Sequence, residues 1–145
     1  MITSGPQRIA LAAKRLHSAD RFDDRLRAGL RQVERSTAEG VVAICLDQAV
    51  RPRGSWLTVI NKERVAPRVD WLMKEFIAPQ LPLIRSRLSG KRAAGLLLSL
   101  SVPSHSQAED YMGSGNNWQF LPGWQLEGSR QSAAAAIWEA VQGFD

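Results

Sequence analysis

Apolar positions change their spacing twice between Arg8 and Asp47. "RIALAAK" (Arg8–Lys14) is a short apolar run, typical of a buried strand. The following apolar residues have the i, i+4, i+7, i+8, i+11 spacing of one helical face, and they are Phe22, Leu26, Gly29, Leu30 and Val33. "GVVAICL" (Gly40–Leu46) is continuous and β-branched, as in a strand buried on both faces. This order predicts a parallel βαβ unit with a right-handed crossover.

The pattern of the remaining chain predicts further strands and helices with less regular spacing. Pro79 and Pro82 lie inside one predicted helix, which we expect them to kink or split. In chain order the predicted elements are a short strand in "WLTVI" (56–60), a helix from Pro67 to Leu88, a buried strand from Arg92 to Pro103, a polar loop (104–117), an edge strand in "WQFLP" (118–122) and an alanine-rich helix (129–144).

The order of these elements predicts an α/β fold. The chain has 145 residues, the length of one domain, and we interpret residues 1–145 as a single α/β domain. Helices alternating with buried strands favour a mixed, mostly parallel sheet with flanking helices, arranged in three layers.

The sequence also predicts where the protein resides. Cys45 is its only cysteine, which excludes a disulfide framework and favours the cytoplasm. No apolar run reaches the ~18 residues of a membrane span, and the N-terminal residues lack the long apolar region of a secretory signal. We therefore expect a cytoplasmic protein without a membrane partner.

Charge adds a first indication of a partner. The formal net charge is +5, and arginine accounts for most of the basic residues. Guanidinium groups match the geometry of phosphate oxygens, and a basic surface attracts nucleic acid independently of base sequence. Nucleic acid is therefore the partner that the composition favours.

Several common catalytic signatures are missing from the sequence. It has no GxxxxGK[ST] or GxGxxG loop for a nucleotide and no CxxC or HxxxH pair for zinc. It also lacks the GxSxG elbow of α/β hydrolases. The position of Lys14 is the remaining indication of chemistry.

Lys14 ends the first predicted strand, which we expect to be central because the next strand packs beside it. Open α/β folds bind ligands at the carboxyl edge of such strands, where a fixed positive charge can stabilise a phosphorane-like transition state. Metal-dependent phosphodiester cleavage also needs carboxylates that hold Mg²⁺, but the residue two positions before Lys14 is Ala12. A basic strand end that meets solvent is the alternative interpretation.

Residues 8–47 resemble the second half of a PD-(D/E)XK nuclease domain, the restriction-endonuclease-like fold. In that family a strand ending in (D/E)-x-K precedes a helix with a polar residue and then a buried parallel strand. Lys14 matches the motif lysine, and Gln32 in "RLRAGLRQVERS" matches the helix polar residue. The resemblance implies catalytic roles for Lys14 and Gln32, Mg²⁺ as cofactor if the domain is active, and a nucleic-acid substrate.

The chain departs from that family in two ways. Ala12 replaces the motif acid, and only seven residues precede Arg8. We therefore expect a restriction-endonuclease-like core that lacks its N-terminal part, either as a fragment of a longer protein or as a degenerate domain. Asp47, after the next strand, is the best remaining candidate metal ligand, although an aspartate here also suits the start of a turn.

These observations support two hypotheses about function. In the first, the chain is a catalytically incomplete nuclease-like domain that contacts nucleic-acid phosphates through Lys14, Arg15, Arg51 and Arg53. Whether it cleaves nucleic acid stays open, because Ala12 replaces the motif acid.

The alternative hypothesis is a non-enzymatic α/β interaction module. Its predicted helix 67–88 and tryptophan-bearing C-terminal region would dock on a partner protein. An exposed sheet edge would also need covering, by that partner or by a second copy of the chain.

Overall fold

The computed structural model describes residues 9–36, 38–50, 56–89 and 93–122. Short 3₁₀ turns precede two of the helices, at Ala19–Arg21 and Lys62–Arg64. The predicted C-terminal helix (129–144) lies outside the described residues. The elements are β1 (Ile9–Arg15), α1 (Phe22–Glu34), β2 (Glu39–Cys45), α2 (Asp47–Val50), β3 (Leu57–Val59), α3 (Val65–Leu88), β4 (Ala93–Ser106) and β5 (Tyr111–Pro122).

The described strands form one five-stranded mixed sheet in which β4 is the longest member. β1 pairs with β2 and β2 with β4, all parallel, and α1 and α3 provide the two crossovers. β5 runs antiparallel along one edge of β4, while β2 and β3 occupy successive stretches of its other edge, both parallel to it. The predicted α/β class, with a mixed, mostly parallel sheet flanked by helices, is confirmed.

Helices α1 and α3 pack on the same face of the sheet. The rings of Phe22 and Phe76 meet edge to face with their centroids 5.4 Å apart. Gly29 lets α1 approach β2 closely, since a Cβ there would lie 2.5 Å from Val42. The main core lies between these helices and the sheet, and it includes Leu26, Val33, Ile44, Met73, Leu96, Leu98 and Leu100. A smaller apolar cluster on the opposite face contains Val41, Ala94 and Leu97.

The prediction of a polar loop at 104–117 is wrong, because β4 and β5 form a long hairpin through this region. Its turn is four residues, 107–110, and Asp110 adopts a left-handed φ of 48°, a conformation that aspartate tolerates better than most residues. Gly113 and Gly115, which belong to the predicted loop, lie within β5. Gly115 faces α3, where a Cβ would come within 2.5 Å of Val69.

Helix α3 continues through both of its prolines, so the predicted split does not occur. Pro79 and Pro82 lie on its exposed side, where carbonyl groups that lose their helical partner can bond to water. Ile77 and Ile84 on the other side are buried in the core. Burial along the inner face therefore maintains the helix across positions that would weaken it in isolation.

Candidate functional site

Lys14 lies near the carboxyl end of β1, on the face that the helices cover. Ala12 and Leu16 are buried in the main core, and residues two apart in a strand share a face. Lys14 lies between them, is half-buried, and pairs in register with Ile44 of β2. A cation is thus held at the edge of the helix-covered core, one residue before the strand ends.

β1 is an edge strand of the described sheet, not the central strand that the sequence predicts. Among the strands that the structure describes, β1 pairs with β2 alone. Residues of β1 on the face away from α1 are consequently accessible, and Leu11 is 57% exposed. Arg15 shares that face, so the side chains of Lys14 and Arg15 leave the strand on opposite sides of the sheet.

Asp47 begins α2 just beyond the carboxyl end of β2, and its carboxylate completes the backbone bonding of the sheet. The paired stretch of β2 ends at Cys45, opposite Ser99, and β3 resumes the pairing at Leu57, opposite Ser104. The amide of Ser101 falls in the gap between these two strands. It donates a hydrogen bond of 2.7 Å to Oδ1 of Asp47. The structure therefore gives Asp47 a clear part in the fold.

A second polar contact lies at the same edge, and the sequence did not indicate it. Nδ1 of His17 is hydrogen-bonded to Oε1 of Gln48, although the two residues are 31 positions apart. His17 follows β1, and Gln48 follows β2 and belongs to α2. Their position directly after adjacent parallel strands is the signal that places them together.

Gln32 lies far from Lys14 in the fold. It is exposed and adjacent to Val33, whose side chain packs over Gly40 at the start of β2. Gly40 is in register with Ala10, four residues before Lys14 along β1. At about 3.3 Å per strand residue, this packing puts Gln32 roughly 13 Å from Lys14 along the strand direction. The structure does not bring these two predicted catalytic residues together.

The described residues do not fit a Mg²⁺ site. Mg²⁺ is bound through carboxylate oxygens, and the position where the resemblance would require an acid is Ala12, which is buried in the core. No group of three or more His, Cys, Asp or Glu side chains in the described ranges is placed to hold a metal ion. Asp47 also directs one carboxylate oxygen to Ser101.

Two of the predicted phosphate contacts, Arg51 and Arg53, lie outside the described residues. The described part of the carboxyl edge includes Lys14 and Arg15 on opposite faces, the hydrogen-bonded pair His17 and Gln48, and Asp47.

Comparison with known proteins does not assign the chain to a family. It matches no protein-family model, and no curated protein or solved structure is significantly similar to it. No helix within the described ranges is both long enough and apolar enough to cross a membrane.

Proposed function

We propose that this chain is a cytoplasmic nucleic-acid-binding domain of nuclease-like organisation, which contacts phosphates at the carboxyl edge of its parallel strands without cleaving them. The observation that carries the proposal is Lys14, a half-buried cation near the end of β1 on the helix-covered face. Lys14 supplies a positive charge to a phosphate. Ala12 does not supply the carboxylate that metal-dependent hydrolysis needs.

The net charge of +5 supports a polyanionic partner. Phosphate contacts supply most of the affinity in binding that is independent of base sequence. His17 and Gln48 carry hydrogen-bonding groups at the same edge, beside the strand end that holds Lys14. These groups are suited to orienting a phosphodiester that the charge of Lys14 attracts.

The alternative, docking of a partner protein on α3, has less support. The large apolar residues on the inner face of this helix, such as Val69, Met73 and Ile77, pack into the core of the chain itself. Trp71 is 48% exposed, but Arg68 stacks on its ring at 4.8 Å. The exposed side of α3 therefore mixes charged residues, such as Asp70 and Lys74, with alanines and prolines, and its large apolar residues other than Trp71 are turned toward the core.

The proposal is tested by mixing the protein with labelled duplex DNA at low salt, with and without Mg²⁺, and separating the products on a gel. We expect a shifted band without cleavage, and the shift should fade as salt rises. Lys14→Ala should weaken binding roughly tenfold, as expected for the loss of one charge-assisted phosphate contact. Lys74→Ala is the matched control, because Lys74 is an exposed lysine on α3.

Each other result is informative. Equal affinity of Lys14→Ala and Lys74→Ala would remove the carboxyl edge as the binding site. Cleavage that a chelator abolishes would show that carboxylates other than the motif acid complete a metal site, and the non-catalytic part of the proposal would then be wrong.

A further inference from the structure

A basic cleft of about 500 Å³ lies between α1 and the C-terminal part of α3. It is on the side of α1 that faces α3, whereas Lys14 belongs to β1. Four arginines and one glutamate surround its apolar floor. The lining residues are Arg27, Leu30, Arg31, Glu34, Arg35 and Arg87.

Three of these arginines form a row along α1. Arg27, Arg31 and Arg35 are four residues apart and exposed, so their positions rise by about 6 Å at each step. Like charges at this spacing repel one another and destabilise an isolated helix. A bound polyanion would relieve that repulsion. A row of guanidinium groups also suits successive phosphates better than one small anion.

Arg87 is fixed on the α3 side of the cleft by a two-point ion pair. Its Nε and Nη2 atoms donate hydrogen bonds of 2.8 and 2.9 Å to the two carboxylate oxygens of Asp23. The guanidinium beside Asp23 holds the pKa of that carboxyl below its usual value, so the pair stays charged at neutral pH. Because Nη1 takes no part in this pair, Arg87 keeps donors for a further acceptor.

We propose that this arginine cleft binds the phosphodiester backbone of a nucleic acid. The inference rests on the proposed function, since it assumes a nucleic-acid partner, but it assigns the contact to a different surface from Lys14. Arginine is also the dominant cation of the chain, with fifteen arginines against four lysines. The cleft holds its partner by charge and by hydrogen bonds to phosphate, and it reads no base sequence.

The test compares two double variants that remove the same charge. Arg27→Gln/Arg31→Gln changes the cleft, whereas Arg68→Gln/Lys74→Gln changes two exposed cations of α3 that do not line it. Affinity for labelled duplex DNA is measured by fluorescence anisotropy over a range of salt concentrations. The cleft variant should bind roughly 10- to 100-fold more weakly, and its slope of log K against log salt should fall by about two. The α3 variant should stay within about threefold of the wild type, since general charge acts weakly at a distance in salt.

Glu34→Gln is a variant that should change DNA affinity in the opposite direction. Glu34 is the acidic residue that lines the cleft, and its neutralisation should tighten binding by roughly threefold. Tighter binding cannot result from misfolding. Thermal melts followed by circular dichroism check that the arginine variants remain folded.

The outcomes separate this inference from the proposed function. If Lys14→Ala weakened DNA binding and the two double variants bound equally well, the cleft would be excluded as the binding site and the carboxyl edge would be supported. If Lys14→Ala had no effect and the cleft variant bound more weakly than the α3 variant, the cleft would be supported and the role of Lys14 would be excluded. Wild-type protein that binds poly-glutamate but not DNA would overturn both, and the cleft would then be assigned to an acidic protein partner.

Discussion

The carboxyl edge and the arginine cleft differ in how fully the fold already uses their polar groups. At the edge, Asp47 accepts a backbone hydrogen bond from Ser101. In the cleft, the Asp23 carboxylate pairs with Arg87. The cleft is also lined by Arg27, Arg31 and Arg35, which outnumber its one acidic lining residue, Glu34. Polar residues near strand ends can thus belong to the sheet itself, whereas a surplus of one charge on a concave surface points outward to a ligand.

The largest expected effect on stability comes from removing the aromatic contact between α1 and α3, the two helices that form the cleft. Phe22 is 1% exposed and meets Phe76 edge to face. Phe22→Ala should lower the free energy of unfolding by about 3–5 kcal/mol because it leaves a cavity in the core. Urea denaturation measures the change. Phe22→Leu is the control, and it should cost roughly 1–1.5 kcal/mol. Equal stability of the two variants would show that the core can collapse around this position.

An intermediate effect should distinguish a structural Asp47 from a metal-binding one. Asp47→Ala leaves the amide of Ser101 without its acceptor and should lower the free energy of unfolding by roughly 1–2 kcal/mol. Asp47→Asn keeps an acceptor oxygen and should cost less than the alanine variant. Thermal melts with and without Mg²⁺ complete the test. If Mg²⁺ raised the Tm of the wild type but not that of Asp47→Asn, the result would show that Asp47 is a metal ligand.

The smallest effect concerns the ion pair at the cleft and depends on pH. Arg87 lowers the pKa of Asp23 in the folded protein. The stabilisation is therefore complete above the unfolded pKa of about 4 and is lost as the pH falls through the lower, folded pKa. At pH 7, Asp23→Asn should reduce Tm by about 2 °C. The difference between the variant and the wild type should shrink as the pH falls below 4. A difference that stays constant down to pH 2 would contradict the ion pair.

Much of the first half of the fold was predictable because the spacing of its apolar residues clearly distinguishes the strands from the helix. The apolar run of β1, the helical spacing of α1 and the β-branched run of β2 each specify one element, and short connections then require a parallel crossover. The structure confirms this unit, with Ile9 opposite Glu39 and Arg15 opposite Cys45.

The second half was harder to predict because the position of a strand decides what it tolerates. The predicted strand ended at Pro103, because the polar residues Ser104, His105 and Ser106 made the end of β4 resemble a loop. The backbone groups of Ser99 and Ser101 point toward the β2 side, so the nitrogen of Pro103, two residues further, points the same way. It falls between the paired stretches of β2 and β3, where no ladder bond is lost. This gap depends on where β2 and β3 each pair with β4, so it cannot be predicted from the sequence of β4 alone.

The candidate site was predictable only in part, for the same reason. Lys14 could be assigned to the end of a strand because that is a local property. Gln32 could not be positioned, because its distance from Lys14 depends on how Val33 packs over Gly40. The cleft needs Arg87, which is 64 positions from Asp23 in the chain. The spacing of the arginines on α1 was visible in the sequence, but the concave surface was not.

The central position of β4 has a consequence for the order of folding. Every described strand except β1 pairs with β4. Its hairpin with β5 closes through a four-residue turn, whereas its parallel pairing joins Val41 to Gly95 across a large separation in the chain. Short loops close at a lower entropic cost and therefore faster. We expect the hairpin to form first and to act as the template on which β2 and then β1 add. Pulse-labelled hydrogen exchange during refolding would then protect the amides of β5 before those of β1.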